Sequence, residues 1–267
     1  MKVADKVIIV TGAGSGIGRE LVLLLLSKRA LVAGVDLNKT SLDETANLAS
    51  NIGGRFAGFV TNVADKSAVS ALPEKVLEHF GMVDGVINNA GIIQPFVKLN
   101  DLDFTTIERV FNVNFYGTLY VIKAFLPILL NRPEAHIANL SSMGGFVSVP
   151  GQAIYCAAKA AVKLMSEGLD SELAHTNVRV TIVFPGAIAT NIRENSGVSN
   201  PETSANGKRS QALSAADAAR IIVRGIEDDA HHVFVGRDAS LMDKFYRLSP
   251  LGATRAIATR MRALLAE

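Results

Sequence analysis

Tyr155 and Lys159 stand four residues apart in the run Ala153-Ile154-Tyr155-Cys156-Ala157-Ala158-Lys159, among small residues that favour a helix. At that spacing two side chains share a helix face, with Cβ atoms about 5–6 Å apart. A phenol ordinarily ionises near about pH 10 and is a poor acid or base at neutrality. A cation held beside it favours the phenolate and brings that value towards working pH. The pair therefore has the chemistry of a tuned proton donor and acceptor. The same pattern also occurs on helices where the tyrosine packs and the lysine is solvated, so its meaning rests on its surroundings. Cys156, next along the helix, points about 100° away and reads as packing.

A second group of residues suits a phosphate. Thr11-Gly12-Ala13-Gly14-Ser15-Gly16-Ile17-Gly18 joins an apolar, β-branched run to a helical pattern. Glycines at such a junction allow a tight turn and let backbone N–H groups approach a pyrophosphate at the helix N-terminus. Gly12, Ser15, Gly16, Ile17 and Gly18 are the candidate contacts, in the spacing Gly-x-x-x-Gly-x-Gly. Asp36 ends the next apolar run, where a carboxylate can accept from ribose hydroxyls and repel a 2′-phosphate. Its expected neighbours Ser15 and Leu37 carry no positive charge, while Arg19 and Lys39 are near in sequence. This favours NAD, with NADP as the alternative.

These residues need a scaffold, and the chain supplies one. Strands are expected at 6–10, 31–36, 55–60, 83–87, 135–140, 178–184 and 233–235. Helices are expected at 17–28, 39–51, from a cap at Asp65 to 80, at 104–130 (with Pro127 ending or kinking it), from Tyr155 to about 174, and around 221–226. Strands alternating with helices imply βαβ units, and apolar runs without strict alternation imply burial on both faces. The fold class is α/β: a doubly wound Rossmann-type parallel sheet of about seven strands, in a single domain with a helical C-terminal extension. The catalytic unit spans 1–236, with a Ser-, Asn- and Gly-rich substrate loop at about 191–213, and the extension spans 237–267.

Of the 267 residues, 49% are apolar and 19% charged, enough for one sizeable core. The net charge of +2 argues against a nucleic-acid partner. A single cysteine excludes an internal disulfide framework. The longest aliphatic run, Leu21 to Leu26, is far below the roughly 18 residues of a membrane span. The first apolar run is too short for a secretory signal. A soluble, cytoplasmic protein is expected, with no metal site. His231 and His232 are adjacent and in a strand would face opposite sides.

With the glycine loop, Asp36, Asn88-Asn89-Ala90-Gly91, Asn114, Ser141-Ser142, Tyr155-x-x-x-Lys159, and Pro185-Gly186 followed by Thr190, the chain resembles the short-chain dehydrogenase/reductase family. The resemblance implies roles residue by residue. Tyr155 would be the general acid/base, Lys159 would hold the nicotinamide ribose and lower the tyrosine's pKa, and Ser142 would hydrogen-bond the substrate oxygen. Asn114 would anchor a water passing protons from Lys159. Asn89, Ala90 and Gly91 would pass beside the cofactor, and Pro185, Gly186, Ile188 and Thr190 would flank the nicotinamide. Asn62-Val63 stands where the family often has an aspartate against adenine, which alters that contact.

The implied activity is NAD(P)-dependent interconversion of a secondary alcohol and a ketone. A dinucleotide-binding regulator of the same fold is the rival, and epimerisation or dehydration a third possibility. Ile92, Ile93, Phe96, Met143, Phe146, Val147, Val149, Ile188 and Ile192 suggest an apolar approach and a largely apolar substrate. The extension (Leu241, Phe245, Leu248, Ile257, Met261, Leu264, with Arg255, Arg260 and Arg262) has amphipathic spacing. It is expected to pack on its own subunit or a partner, with a membrane surface as the lesser alternative. The long helices resemble those through which family members form dimers or tetramers.

Overall fold

The computed structural model describes residues 1–198 and 212–261. Its strands are β1 (Val7–Thr11), β2 (Leu31–Asp36), β3 (Phe56–Val60), β4 (Gly85–Asn88), β5 (Ala135–Leu140), β6 (Val178–Pro185), β7 (Ile188–Ala189), β8 (Leu213–Ser214) and β9 (His232–Val235). The helices are α1 (Gly16–Ser27), α2 (Lys39–Ser50), α3 (Lys66–Ser70), α4 (Leu72–Phe80), α5 (Phe104–Phe111), α6 (Gly117–Leu129), α7 (Ala153–Glu172), α8 (Ile192–Ser196), α9 (Ala215–Glu227), α10 (Arg237–Leu248) and α11 (Pro250–Met261).

Seven strands form one parallel sheet in the order β3-β2-β1-β4-β5-β6-β9, as expected of a doubly wound fold. Every residue of β1, β4 and β5 is buried, so β1 runs apolar without alternating, while Asn88, His136 and Asn139 are buried with hydrogen-bond partners. One core packs α1, α2 and α9 on one face through Leu21, Leu42 and Ile222. The other packs α3, α4, α6 and α7 through Val69, Val76, Phe125 and Leu169. The chain crosses from β3 at one edge to β4 on the far side of β1. A crevice therefore opens at the carboxyl ends of β1 and β4, the ligand position of such sheets.

Three local expectations are corrected. The helix from Asp65 does not run unbroken to residue 80. Asp65 does cap it, accepting from Ser67 N (2.8 Å) and Ala68 N (3.1 Å), but α3 stops at Ser70 and Pro73 opens α4. The expected helix over 104–130 contains a π-turn, Asn112–Tyr116, between α5 and α6. Pro127 lies inside α6, which continues only to Leu129. Proline removes one hydrogen bond there and the helix ends within a turn. His231 and His232 stack, with ring centroids 4.4 Å apart, because His231 precedes β9 and escapes the strand's alternation.

The extension forms two helices that pack on their own chain. Val147, Ala253 and Ile257 are the buried centre of a third cluster with Met143, Phe146, Val149, Met242, Tyr246 and Met261. Leu264 and Arg262 lie outside the described residues, as does most of the expected loop, residues 199–211. No described helix is long and apolar enough to cross a membrane.

Candidate active site

Thr11, the last residue of β1, joins the two strand ends that frame the crevice. Its Oγ1 accepts from Asn89 N and Ala90 N, both at 3.0 Å, and Asn89 Nδ2 donates back to Thr11 O at 2.9 Å. Gly12 is left-handed (φ 67°), and a Cβ there would meet Asn89 Nδ2 at 2.8 Å and Ala90 Cα at 3.0 Å. Only glycine satisfies both the turn and the approach.

The crevice is a cavity of about 790 Å³. Gly12, Ser15, Gly16, Ile17, Asp36, Asn62 and Val63 line its one side, and Asn89, Ala90, Gly91 and Asn114 its floor. Ser142, Tyr155, Lys159, Pro185, Gly186, Ile188 and Thr190 complete it. The one expected contact outside it is Gly18. A Cβ on Gly18 would collide with the Gly12 carbonyl oxygen, so this glycine lets α1 close against the loop and does not face the cavity.

Asp36 accepts from Gly14 N through Oδ2 (2.8 Å) and from Asn38 N through Oδ1 (2.9 Å), which fixes the carboxylate at the cavity wall. Arg19 lies close by: its guanidinium donates to Gly14 O, Ser41 O (3.3 Å), Thr45 Oγ1 (3.1 Å) and Glu44 Oε2 (2.7 Å), tying the glycine loop and α1 to α2. Lys39 pairs with Asp43 at 2.6 Å on the surface. Asn62 Oδ1 accepts from Ala64 N at 3.0 Å, so the carboxamide is held by its own turn.

α7 brings Tyr155 and Lys159 to the opposite end. Lys159 is 4% exposed and donates from Nζ to Leu140 O at 2.8 Å. Burial of the ammonium depresses its pKa to about 8. Ser142, in extended backbone after β5, accepts from Gly144 N at 3.0 Å. Asn114 is fully buried in the π-turn, where Oδ1 accepts from Ile92 N (3.2 Å) and Nδ2 donates to Ile92 O (2.9 Å) and Val110 O (2.9 Å). A Cβ on Gly91 would sit 2.8 Å from Asn114 Oδ1 and 3.3 Å from Lys159 Nζ, so these groups surround one point.

The expectation that the lysine lowers the tyrosine's pKa is not met in the protein alone. Burial pushes the Tyr155 phenol up to about 12, opposed by the Ser142 hydroxyl beside it and assisted by Cys156. Lys159 spends a donor on Leu140 instead of the phenol. The apolar surroundings dominate.

The apolar approach is likewise only partly as expected. Ile92, Ile93, Ile188 and Ile192 line the cavity. Met143, Phe146, Val147 and Val149 turn to the C-terminal helices, and Phe96 lies beneath Arg193, 4.8 Å from guanidinium to ring centre. Thr105, Glu108 and Arg109 add a polar rim that sequence reasoning did not anticipate. α8 spans the opening, held by Asn195 Nδ2 to Ser15 Oγ (2.8 Å), Ile93 N to Ser196 Oγ (3.0 Å) and Arg109 to Ser196 O (3.2 Å). Asp238 of α10 was also missed. It accepts from Ala187 N at 2.7 Å, bracing the Pro185–Ile188 wall across 51 residues of sequence, and nothing local to it could have signalled that.

The family model described as short chain dehydrogenase matches residues 6–200. SadH of Mycobacterium tuberculosis, an oxidoreductase by assignment, is 38% identical over 260 residues, covering 95% of this chain and 94% of that protein. The 3-oxoacyl-(acyl-carrier-protein) reductase FabG of Thermotoga maritima is 35% identical, covering 73% of this chain and 78% of its own length. Among solved structures, a short-chain dehydrogenase/reductase from Burkholderia phymatum in complex with NAD superposes with a TM-score of 0.83. It is 27% identical and the match covers 93% of this chain and 96% of that one.

Proposed function

The chain belongs to the short-chain dehydrogenase/reductase family of oxidoreductases, and on that premise we propose that it interconverts a secondary alcohol and a ketone with NAD, using Tyr155 as general acid/base. The observation that carries the reading is the convergence of Ser142, Tyr155 and Lys159 on the same cavity as the glycine loop and Asp36.

The residues fit a dinucleotide. Gly12 and Gly91 let the loops after β1 and β4 close against Asn89 and Asn114 at the cavity edge, and Gly16 and Ile17, which open α1, line the cavity, so a phosphate there would meet a helix N-terminus. Asp36 stands where the ribose hydroxyls would be read. The carboxylate at that place supports NAD over NADP; of the nearby cations, Lys39 pairs with Asp43, and Arg19 bonds Gly14 O, Ser41 O and Glu44. When bound, the nicotinamide supplies or takes the hydride. Ser142 orients the substrate oxygen, and Tyr155 passes a proton to or from it. A phenol that stays protonated through neutral pH is ready to donate in the reducing direction. Lys159, with one donor on Leu140, has others to offer a ribose and the developing phenolate.

Ile92, Ile93, Ile188 and Ile192 favour a substrate with an apolar body. Leu164 and Phe104, 65% and 81% exposed on α7 and α5, support association of copies through those helices. The test is nicotinamide absorbance with panels of secondary alcohols and ketones, native beside Tyr155→Phe. The variant should lose about 10²–10⁴ in kcat while binding NAD within about twofold of native. Retained turnover would assign the chemistry to another group.

A further inference from the structure

α7 begins without an ordinary cap. Gln152 precedes it and makes no side-chain capping bond to its first turn, although the opening N–H groups of a helix need partners. The partner comes from Gln94, in the loop that follows β4. Its Oε1 accepts from both Ile154 N and Tyr155 N, each at 3.0 Å. Its Nε2 donates to Gly151 O at 3.0 Å, and Gln152 Nε2 donates back to the Gln94 carbonyl at 2.8 Å. Gln94 is fully buried, 0% exposed.

The same loop is anchored at its other end. Asn89 is bonded to Thr11, and Ile92 makes two hydrogen bonds with Asn114. A single short segment thus runs from the phosphate-side glycine loop, past the floor of the cavity, to the backbone N–H of Tyr155. We propose that Gln94 is a positioning residue for the reaction: it locks the first turn of α7 to the cavity floor and so fixes where the Tyr155 phenol stands relative to Ser142. This rests on the reading of Tyr155 as the acid/base. Holding two successive N–H groups of the opening turn, the second that of Tyr155 itself, matters because a displacement of about 1 Å at the reacting group can cost about 10²-fold in rate.

Two variants test it. Gln94→Met keeps the side chain's length and offers the two N–H groups no oxygen. Gln94→Glu restores an acceptor to both. The methionine variant should lose about 10–100-fold in kcat, with the KM and directly titrated affinity for NAD held within about twofold, and the glutamate variant should recover about threefold or more of that loss. Added to Tyr155→Phe, Gln94→Met should cost little more, since both act through one group. A native kcat in the methionine variant overturns the proposal. So does a loss that merely tracks the fraction of folded protein seen by circular dichroism.

If Tyr155→Phe itself turns over normally, the acid/base reading fails and Gln94 is judged separately. Ultraviolet titration of native minus Tyr155→Phe isolates this phenol from the other three of the four tyrosines. Ser142, Cys156 and Lys159 surround it. A displaced ionisation in Gln94→Met upholds the positioning role, and an unmoved one overturns it.

Discussion

Replacing Lys159 by methionine should make this protein more stable while disabling it. The ammonium is 4% exposed and burial drives its pKa from 10.5 to about 8. Each tenfold change in ionisation corresponds to about 1.4 kcal/mol, so holding the charge at pH 7 costs the fold roughly 3 kcal/mol. Against this, the variant loses the hydrogen bond from the charged Nζ to Leu140 O, which offsets about 1.5–3 kcal/mol. A net gain of up to about 1.5 kcal/mol remains, which at about 2–4 °C per kcal/mol for a chain of this size raises Tm by up to about 6 °C. The sign follows from linkage. Between about pH 8 and 10.5 the unfolded native chain binds more protons than the folded one, so native stability rises with pH across that window. The variant has no such slope from this position, and its advantage should be largest below pH 8 and shrink towards 10.5. Calorimetry of both proteins without cofactor, from pH 7 to 10, measures it, with turnover as the companion assay. A variant melting at or below native at pH 7, or a difference flat across the series, would refute the reasoning.

Two further substitutions probe opposite ends of the cavity. Asp36→Ala removes the acceptor for Gly14 N and Asn38 N together with the ribose contact proposed above. NAD should bind about tenfold more weakly, equivalent to about 1.4 kcal/mol, and discrimination against NADP should narrow. Tighter NADP than NAD binding in the native protein would remove the role assigned to this carboxylate. Asp238→Ala frees Ala187 N at the Pro185–Ile188 wall. It should raise the KM for NAD about threefold to tenfold and lower Tm by a few degrees, the scale of one lost hydrogen bond to a charged group. An unchanged KM with lowered Tm would confine Asp238 to holding α10.

How much of this was legible beforehand depended on how far each signal reached along the chain. β1 and the Val180–Val183 part of β6 announce themselves as β-branched runs because a strand buried on both faces has little polar side to show. The glycine loop is legible for a related reason, since a left-handed turn against Asn89 restricts residue type at the position itself. Tyr155 and Lys159 are readable as a pair because helix periodicity brings residues four apart onto one face. The π-turn around Asn114 left no such mark, as its extra residue per turn follows from how α5 and α6 pack and not from the local composition.

The chain by itself therefore determined the strands, the glycine loop and the candidate side chains of the site, all properties carried within a few neighbouring residues. Tertiary structure alone decided that Arg19 ties the glycine loop to Glu44 of α2, that Gln94 caps α7 and Asp238 braces the Pro185–Ile188 wall, and that Phe146 belongs to the C-terminal helices. It also reversed the expected direction for Tyr155, whose phenol is pushed up to about 12. The physical reason is that spacing fixes which groups can meet, whereas desolvation and long-range hydrogen bonds depend on everything packed around them, and for this half-buried phenol the desolvation is the larger effect.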